Sequence, residues 1–129
     1  MKTRILLTAS AVVLAIAGGA CLFAPDEIIR TMHAGGLPIV VQLLGALLFA
    51  FAMVNWTAKD SLIGGIYNRP VAIGNLTHFT IGAISIVKLV IAGSLPQAAW
   101  MIAVVYVLFA AAFARVFVTS PVSEEAGTR

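Results

Sequence analysis

Charge is scarce in this chain. Asp, Glu, Lys and Arg make up only 10% of its 129 residues, against roughly 25% in a soluble domain, too few to cover a water-facing surface. Carboxylates are scarcer still. Asp26, Glu27, Asp60, Glu124 and Glu125 are the whole set, and none falls inside a long apolar run. That excludes exchange of protons for cations through an intramembrane carboxylate. Cys21 is the single cysteine, so no intramolecular disulfide can form. No glycine-lysine-serine/threonine signature is present, which removes a Walker A phosphate loop. The positive residues are scattered without an aromatic or basic stripe, which argues against nucleic acid as a partner.

What the chain has instead is apolar length. Hydrophobic residues make up 61%, with a mean hydropathy of +1.06. They gather in four runs, residues 5–24, 37–57, 71–92 and 98–119. A spanning helix needs about 20 predominantly apolar residues, and each run supplies them. Backbone polar groups in hydrocarbon must be satisfied internally, so the choice is helix or closed barrel. Stretches such as Ile102-Ala103-Val104-Val105 are apolar on both parities, which a barrel strand is not. The expectation is all-α: a polytopic membrane protein built as one domain over residues 1–129, an antiparallel four-transmembrane-helix bundle with a short interfacial helix after the first span.

The charges give an orientation. With the N-terminus, the middle connection and the C-terminus on one side, that side holds Lys2, Arg4, Lys59, Arg69, Arg115 and Arg129, and the other holds Arg30, with Lys88 inside the third span. The net charge of +3 and pI near 9.5 thus reflect the positive-inside rule, with both termini cytoplasmic in a bacterial inner membrane. Met1-Lys2-Thr3-Arg4 before an apolar run is also how a secretory signal begins. Gly18-Gly19-Ala20-Cys21 is a poor lipoprotein site, and the run continues through Leu22, Phe23 and Ala24. The segment is read as a retained span.

Ala11, Ala15 and Gly19 recur at four-residue spacing in the first span, a face for close helix packing within the bundle or between copies. Pro25, Asp26 and Glu27 suit a helix start, and Ile28, Ile29 and Met32 share one face. A surface helix is expected there, ended by Gly35-Gly36. Asp26, Glu27 and His33 have no fixed mutual geometry, and no metal site is assigned. In the middle connection Leu62, Ile63, Ile66 and Tyr67 are apolar enough to dip into the membrane boundary, and Asn68 is placed to cap the third helix. The link at residues 93–97 is so short that spans three and four must be antiparallel neighbours.

Polar residues in the spans mark where chemistry could sit. At 100° per residue Gly74, Asn75, His78, Gly82, Ser85 and Lys88 fall within a sector of about 140°. The second span carries Gln42, Gly45, Phe49, Ala52, Asn55 and Trp56. Running in opposite directions, the two spans put Asn55 and Trp56 at the depth of Asn75 and His78, and Gln42 near the depth of Lys88. One inner and one outer polar cluster are expected. In the fourth span Tyr106 is placed to close a polar cavity or bond a neighbour, and Ala99, Ala103, Ala110 and Ala114 offer a close-packing face.

Each candidate has a plain reading beside the functional one. His78 is a proton relay, a quinone partner or a haem ligand, or else a histidine bonded to Asn75, Asn55 or a carbonyl to fix packing. His33 lies on the wrong side to complete a bis-histidine haem. Lys88 either snorkels to the headgroups or lines a pocket for an anionic group. The set of ligand or polar-cavity candidates is therefore Gln42, Asn55, Trp56, Asn75, His78, Ser85, Lys88 and Tyr106, with no catalytic residue and no resident cofactor, a quinone being the alternative.

A chain of this size invites comparison with the small multidrug exporters, but those depend on a carboxylate in the first membrane helix that is missing here. The four spans, the Phe23-Ala24-Pro25-Asp26-Glu27 turn, and the segment from Gly64-Gly65-Ile66-Tyr67-Asn68-Arg69-Pro70 through Gly74-Asn75 to His78-Phe79 resemble small bacterial membrane proteins of the DoxX-like kind. That resemblance implies a four-helix bundle, sometimes associated with quinone-linked redox systems. The functional expectation is a non-enzymatic accessory or small-ligand-binding protein, embedded among membrane lipids and associated with itself or a larger membrane complex. The alternatives are a transporter or channel using the polar face of the third span, and a quinone-linked redox subunit with His78 and Tyr106 at the quinone head.

Overall fold

The computed structural model describes residues 3–60 and 69–119. Five helices follow one another: α1 (Thr3–Phe23), α2 (Pro25–Thr31), α3 (Pro38–Ala58), α4 (Arg69–Ile91) and α5 (Ala99–Thr119). All but α2 are long and apolar enough to cross a membrane, and their ends lie within two residues of those read from hydropathy. The chain is a multi-pass membrane protein with an antiparallel helical bundle. The expectations for Leu62, Ile63, Ile66, Tyr67 and Asn68 fall outside the described residues.

The bundle is two hairpin-like pairs. α1 packs along α3, and α4 along α5, whereas the seams between α3 and α4 and between α1 and α5 are short. The buried positions explain the pairing. On α1 they include Leu7, Ala11, Leu14, Gly18 and Cys21, and on α3 Gly45, Leu48, Ala52 and Asn55. This alternation of three and four residues keeps one narrow stripe facing the partner, as in a left-handed coiled coil. In α5 Ala99, Ala103 and Phe113 are buried, with Tyr106 and Ala110 partly so in the same repeat.

Small residues set how closely α1 and α3 approach. A Cβ on Gly18 would sit 2.8 Å from the Gly45 carbonyl oxygen and 2.8 Å from the Phe49 amide nitrogen. A Cβ on Gly45 would sit 2.8 Å from the Gly18 carbonyl oxygen and 2.9 Å from Cys21 Cβ. The two backbones therefore touch, which glycine alone permits. Of the small residues singled out in the sequence, Ala11 is buried in this contact, but Gly19 has open space around its Cβ position. The contact follows the seven-residue stripe through Gly18, one position away.

Across the middle, Phe79 and Phe113 are fully buried and join the two pairs in one core with Leu6, Leu7, Leu14 and Leu48. Outside it, α2 keeps Ile28, Ile29 and Met32 half-buried and Asp26, Glu27 and Arg30 exposed, with Arg30 paired to Glu27. The helix ends before the glycines. His33 takes a left-handed φ of 51° and the Ala34 amide donates to the Ile29 carbonyl at 3.0 Å, closing the last turn two residues earlier than Gly35-Gly36 would. The α4–α5 link turns at Gly93, with φ 71°. The bundle end holding Thr3, Ala58, Arg69 and Thr119 is called proximal below, and the other distal.

Candidate functional site

The polar residues of the spans resolve into one sealed group, one half-buried pair and several side chains that face outward. In the sealed group, Asn55 and Asn75 exchange amide hydrogen bonds. Asn55 Nδ2 donates to Asn75 Oδ1 at 2.8 Å, and Asn75 Nδ2 donates to Asn55 Oδ1 at 2.6 Å. The second hydrogen of Asn55 Nδ2 goes to Ser10 Oγ at 3.0 Å, and that of Asn75 Nδ2 to the Val71 carbonyl at 2.9 Å. Ser10 donates in turn to the Leu7 carbonyl at 3.0 Å. All three side chains are 0% exposed. Among the described residues no buried side-chain nitrogen or oxygen lacks a partner. Burying amides in an apolar bundle is tolerable when their hydrogen bonds are made, and here every amide hydrogen is used.

The half-buried pair lies one turn further along α4. Tyr106 Oη sits 3.3 Å from His78 Nε2. The His78 ring stacks on Phe51 of α3, with centroids 5.3 Å apart and planes 22° apart, and meets Phe79 edge-on at 5.1 Å. Tyr106 contacts Phe79 edge-on at 5.2 Å, and its ring lies directly on Gly82, where a Cβ would collide with it. Three helices thus build this place: α4 gives the imidazole and the glycine seat, α5 the phenol, and α3 the stacking ring.

The other candidates are not brought together. Trp56 is 47% exposed and turns away from Asn75 toward the α1 side of α3, with Lys59 Nζ 3.1 Å above its ring. One position separates it from Asn55, and a 100° step suffices to take it off the stripe. Gln42 Nε2 reaches the Leu22 carbonyl at 3.5 Å, so it bonds to α1. Ser85 and Lys88 are exposed, and Lys88 lines an apolar groove with Ala83, Ile84, Val87, Ile91 and Val107. No outer polar cluster of Gln42 and Lys88 forms, because the distal half of α3 is committed to α1. The inner cluster forms with Asn55 and Asn75, without Trp56 and without His78, which approaches Tyr106 instead. Among the described residues no three His, Cys, Asp or Glu side chains converge.

Ser10, Phe51 and Phe79 are parts of these arrangements that sequence reasoning did not select. A signal existed for Ser10: it lies near the proximal end of α1 as Asn55 does in α3, and a serine at that depth needs a partner. Phe51 and Phe79 look like ordinary core residues in sequence. Compared with protein-family models, curated proteins and solved structures, the chain matches none.

Proposed function

We propose that this chain is a non-enzymatic protein of the bacterial inner membrane that binds a small ligand at His78 and Tyr106, as an accessory to a larger membrane complex or in association with a second copy of itself. The observation that carries the reading is the half-buried His78–Tyr106 pair among the rings of Phe51 and Phe79. Neither side chain makes another hydrogen bond among the described residues, so each retains capacity for one, and polar groups at membrane depth favour a partner. A half-buried imidazole and phenol beside the partly exposed ring of Phe51 suit a small apolar molecule with a polar edge, a description that a quinone head fits. The DoxX-like resemblance supports the same four-helix setting.

Transport along the polar face of α4 draws no support from the asparagines, whose hydrogen bonds are spent within a dry cluster. The balance of charge supports cytoplasmic termini: Arg4, Lys59, Arg69 and Arg115 stand at the proximal end against Arg30 and Lys88 at the distal end.

The test is extraction in mild detergent, identification of co-purifying small molecules and proteins, and titration with a short-chain quinone followed by quenching of protein fluorescence. Loss of one hydrogen bond to the ligand corresponds to about fivefold to tenfold in affinity, which Tyr106→Phe should show. His78→Ala, which also removes the stacked ring, should lose more. Binding unchanged in both variants would overturn the site, and the absence of any bound small molecule or partner would overturn the reading.

A further inference from the structure

A second feature lies between α1 and α3, running from mid-bundle toward the proximal end. Ala11, Val12 and Ala15 of α1 and Ala52, Met53 and Trp56 of α3 line a cleft of about 240 Å³. Three alanines on facing helices make its floor, and the half-exposed indole of Trp56 stands at its proximal edge. Lys59 follows one turn later at the end of α3, its ammonium 3.1 Å above the Trp56 ring centroid. An apolar slot thus opens beneath an aromatic edge with a cation above it.

The charge at that cation is not cancelled locally. The nearest carboxylate in sequence, Asp60, is engaged by Arg4, whose Nε lies 3.2 Å from Asp60 Oδ1. Among the described residues Lys59 has no ion pair. Resting over an indole leaves an ammonium its full positive charge and N–H donors to spare. Aromatic residues of this kind settle at headgroup level. A lysine one turn beyond Trp56 therefore stands at the level of lipid phosphates, while the alanine floor lies at the level of the acyl chains.

We propose that this cleft is a specific binding site for an anionic phospholipid of the leaflet at the proximal end, with its phosphate on Lys59 and one acyl chain along Ala11, Ala15 and Ala52 under Trp56. The occupant follows from charge complementarity. A zwitterionic lipid could fill the slot equally well but would leave the lysine without a net negative partner. The site is independent of the His78–Tyr106 reading, on another face and with other residues.

The test is native mass spectrometry of the detergent-solubilised full chain, titrated with phosphatidylglycerol or phosphatidylcholine of identical chains. A single lysine near an anionic surface corresponds to about fivefold in binding. The wild type should therefore retain phosphatidylglycerol about fivefold better, and Lys59→Gln should bring the two lipids to parity. Lys59→Arg should keep the preference, and Lys88→Gln, at the distal end, should leave it intact. Ala15→Leu, filling the slot, should reduce retention of both lipids, with circular dichroism confirming an unchanged helix content. Equal retention of the two lipids by the wild type would overturn the proposal. So would an unchanged preference in Lys59→Gln, or an equal loss in Lys88→Gln, which would mark a response to net charge alone.

Discussion

Asn55 and Asn75 bond to each other twice, amide to amide, across the short seam between α3 and α4. The pair is a polar link between two hairpins that elsewhere, among the described residues, share mainly the core around Phe79 and Phe113. Interhelical hydrogen bonds within membranes average about 0.6 kcal/mol and reach about 1.7. The cost of losing one partner is larger, because the surviving amide stays buried.

Asn55→Ala should therefore destabilise the bundle by about 1–3 kcal/mol, and Asn75→Ala by a similar amount. The double variant should cost less than the sum of the two, since no orphaned amide remains. A double-mutant cycle from reversible unfolding in mixed detergent measures this coupling. Simple additivity would show that the reciprocal pair does not join the hairpins.

Gly18 and Gly45 place backbone on backbone, so Gly45→Ala forces α1 and α3 apart. Overpacking of this kind costs about 1–3 kcal/mol. Gly19→Ala, on the open side of α1, should be near neutral. Thermal unfolding of the two variants side by side checks the contrast, and equal effects would contradict the close contact.

Gly82→Ala should displace the Tyr106 ring from its seat and so break the approach to His78. Helix content should persist, while ligand affinity should fall at least as far as in Tyr106→Phe. Circular dichroism and the quinone titration on one preparation separate the two outcomes.

The orientation makes its own prediction. Cys21 is buried, so native thiol background is low. In intact cells with the outer membrane permeabilised, Ser94→Cys in the distal turn should react with a membrane-impermeant maleimide, whereas Asp60→Cys should react only after the inner membrane is opened. The reverse pattern would invert the assignment.

Much of this architecture was legible in the residues. Hydropathy placed the four long helices because a spanning helix must be apolar over a fixed length. Antiparallel depth matching placed Asn55 opposite Asn75, and the short distal link made α4 and α5 neighbours. Other features depended on rotation about a helix axis. Trp56 differs from Asn55 by one residue, and Gly18 from Gly19 likewise. In spans this uniformly apolar, hydropathy gives little help in choosing which face turns inward. Ser85 and Lys88 share with Asn75 the sector of about 140°, yet they face outward because α3 follows α1 at the distal end and leaves that part of α4 uncovered. The His78–Phe51 stack needed three helices to be placed at once, beyond the reach of any pairwise spacing rule.

Division into two hairpins has a consequence for how the chain comes together. Each antiparallel couple buries its own stripe, α1 with α3 and α4 with α5, so the earlier couple can close before the later one is synthesised. Ser10 already satisfies one hydrogen of Asn55, leaving a single prepared socket for the arriving Asn75. In that order of assembly the amides would be a late-stage latch, whose failure would yield well-formed helices in a parted bundle.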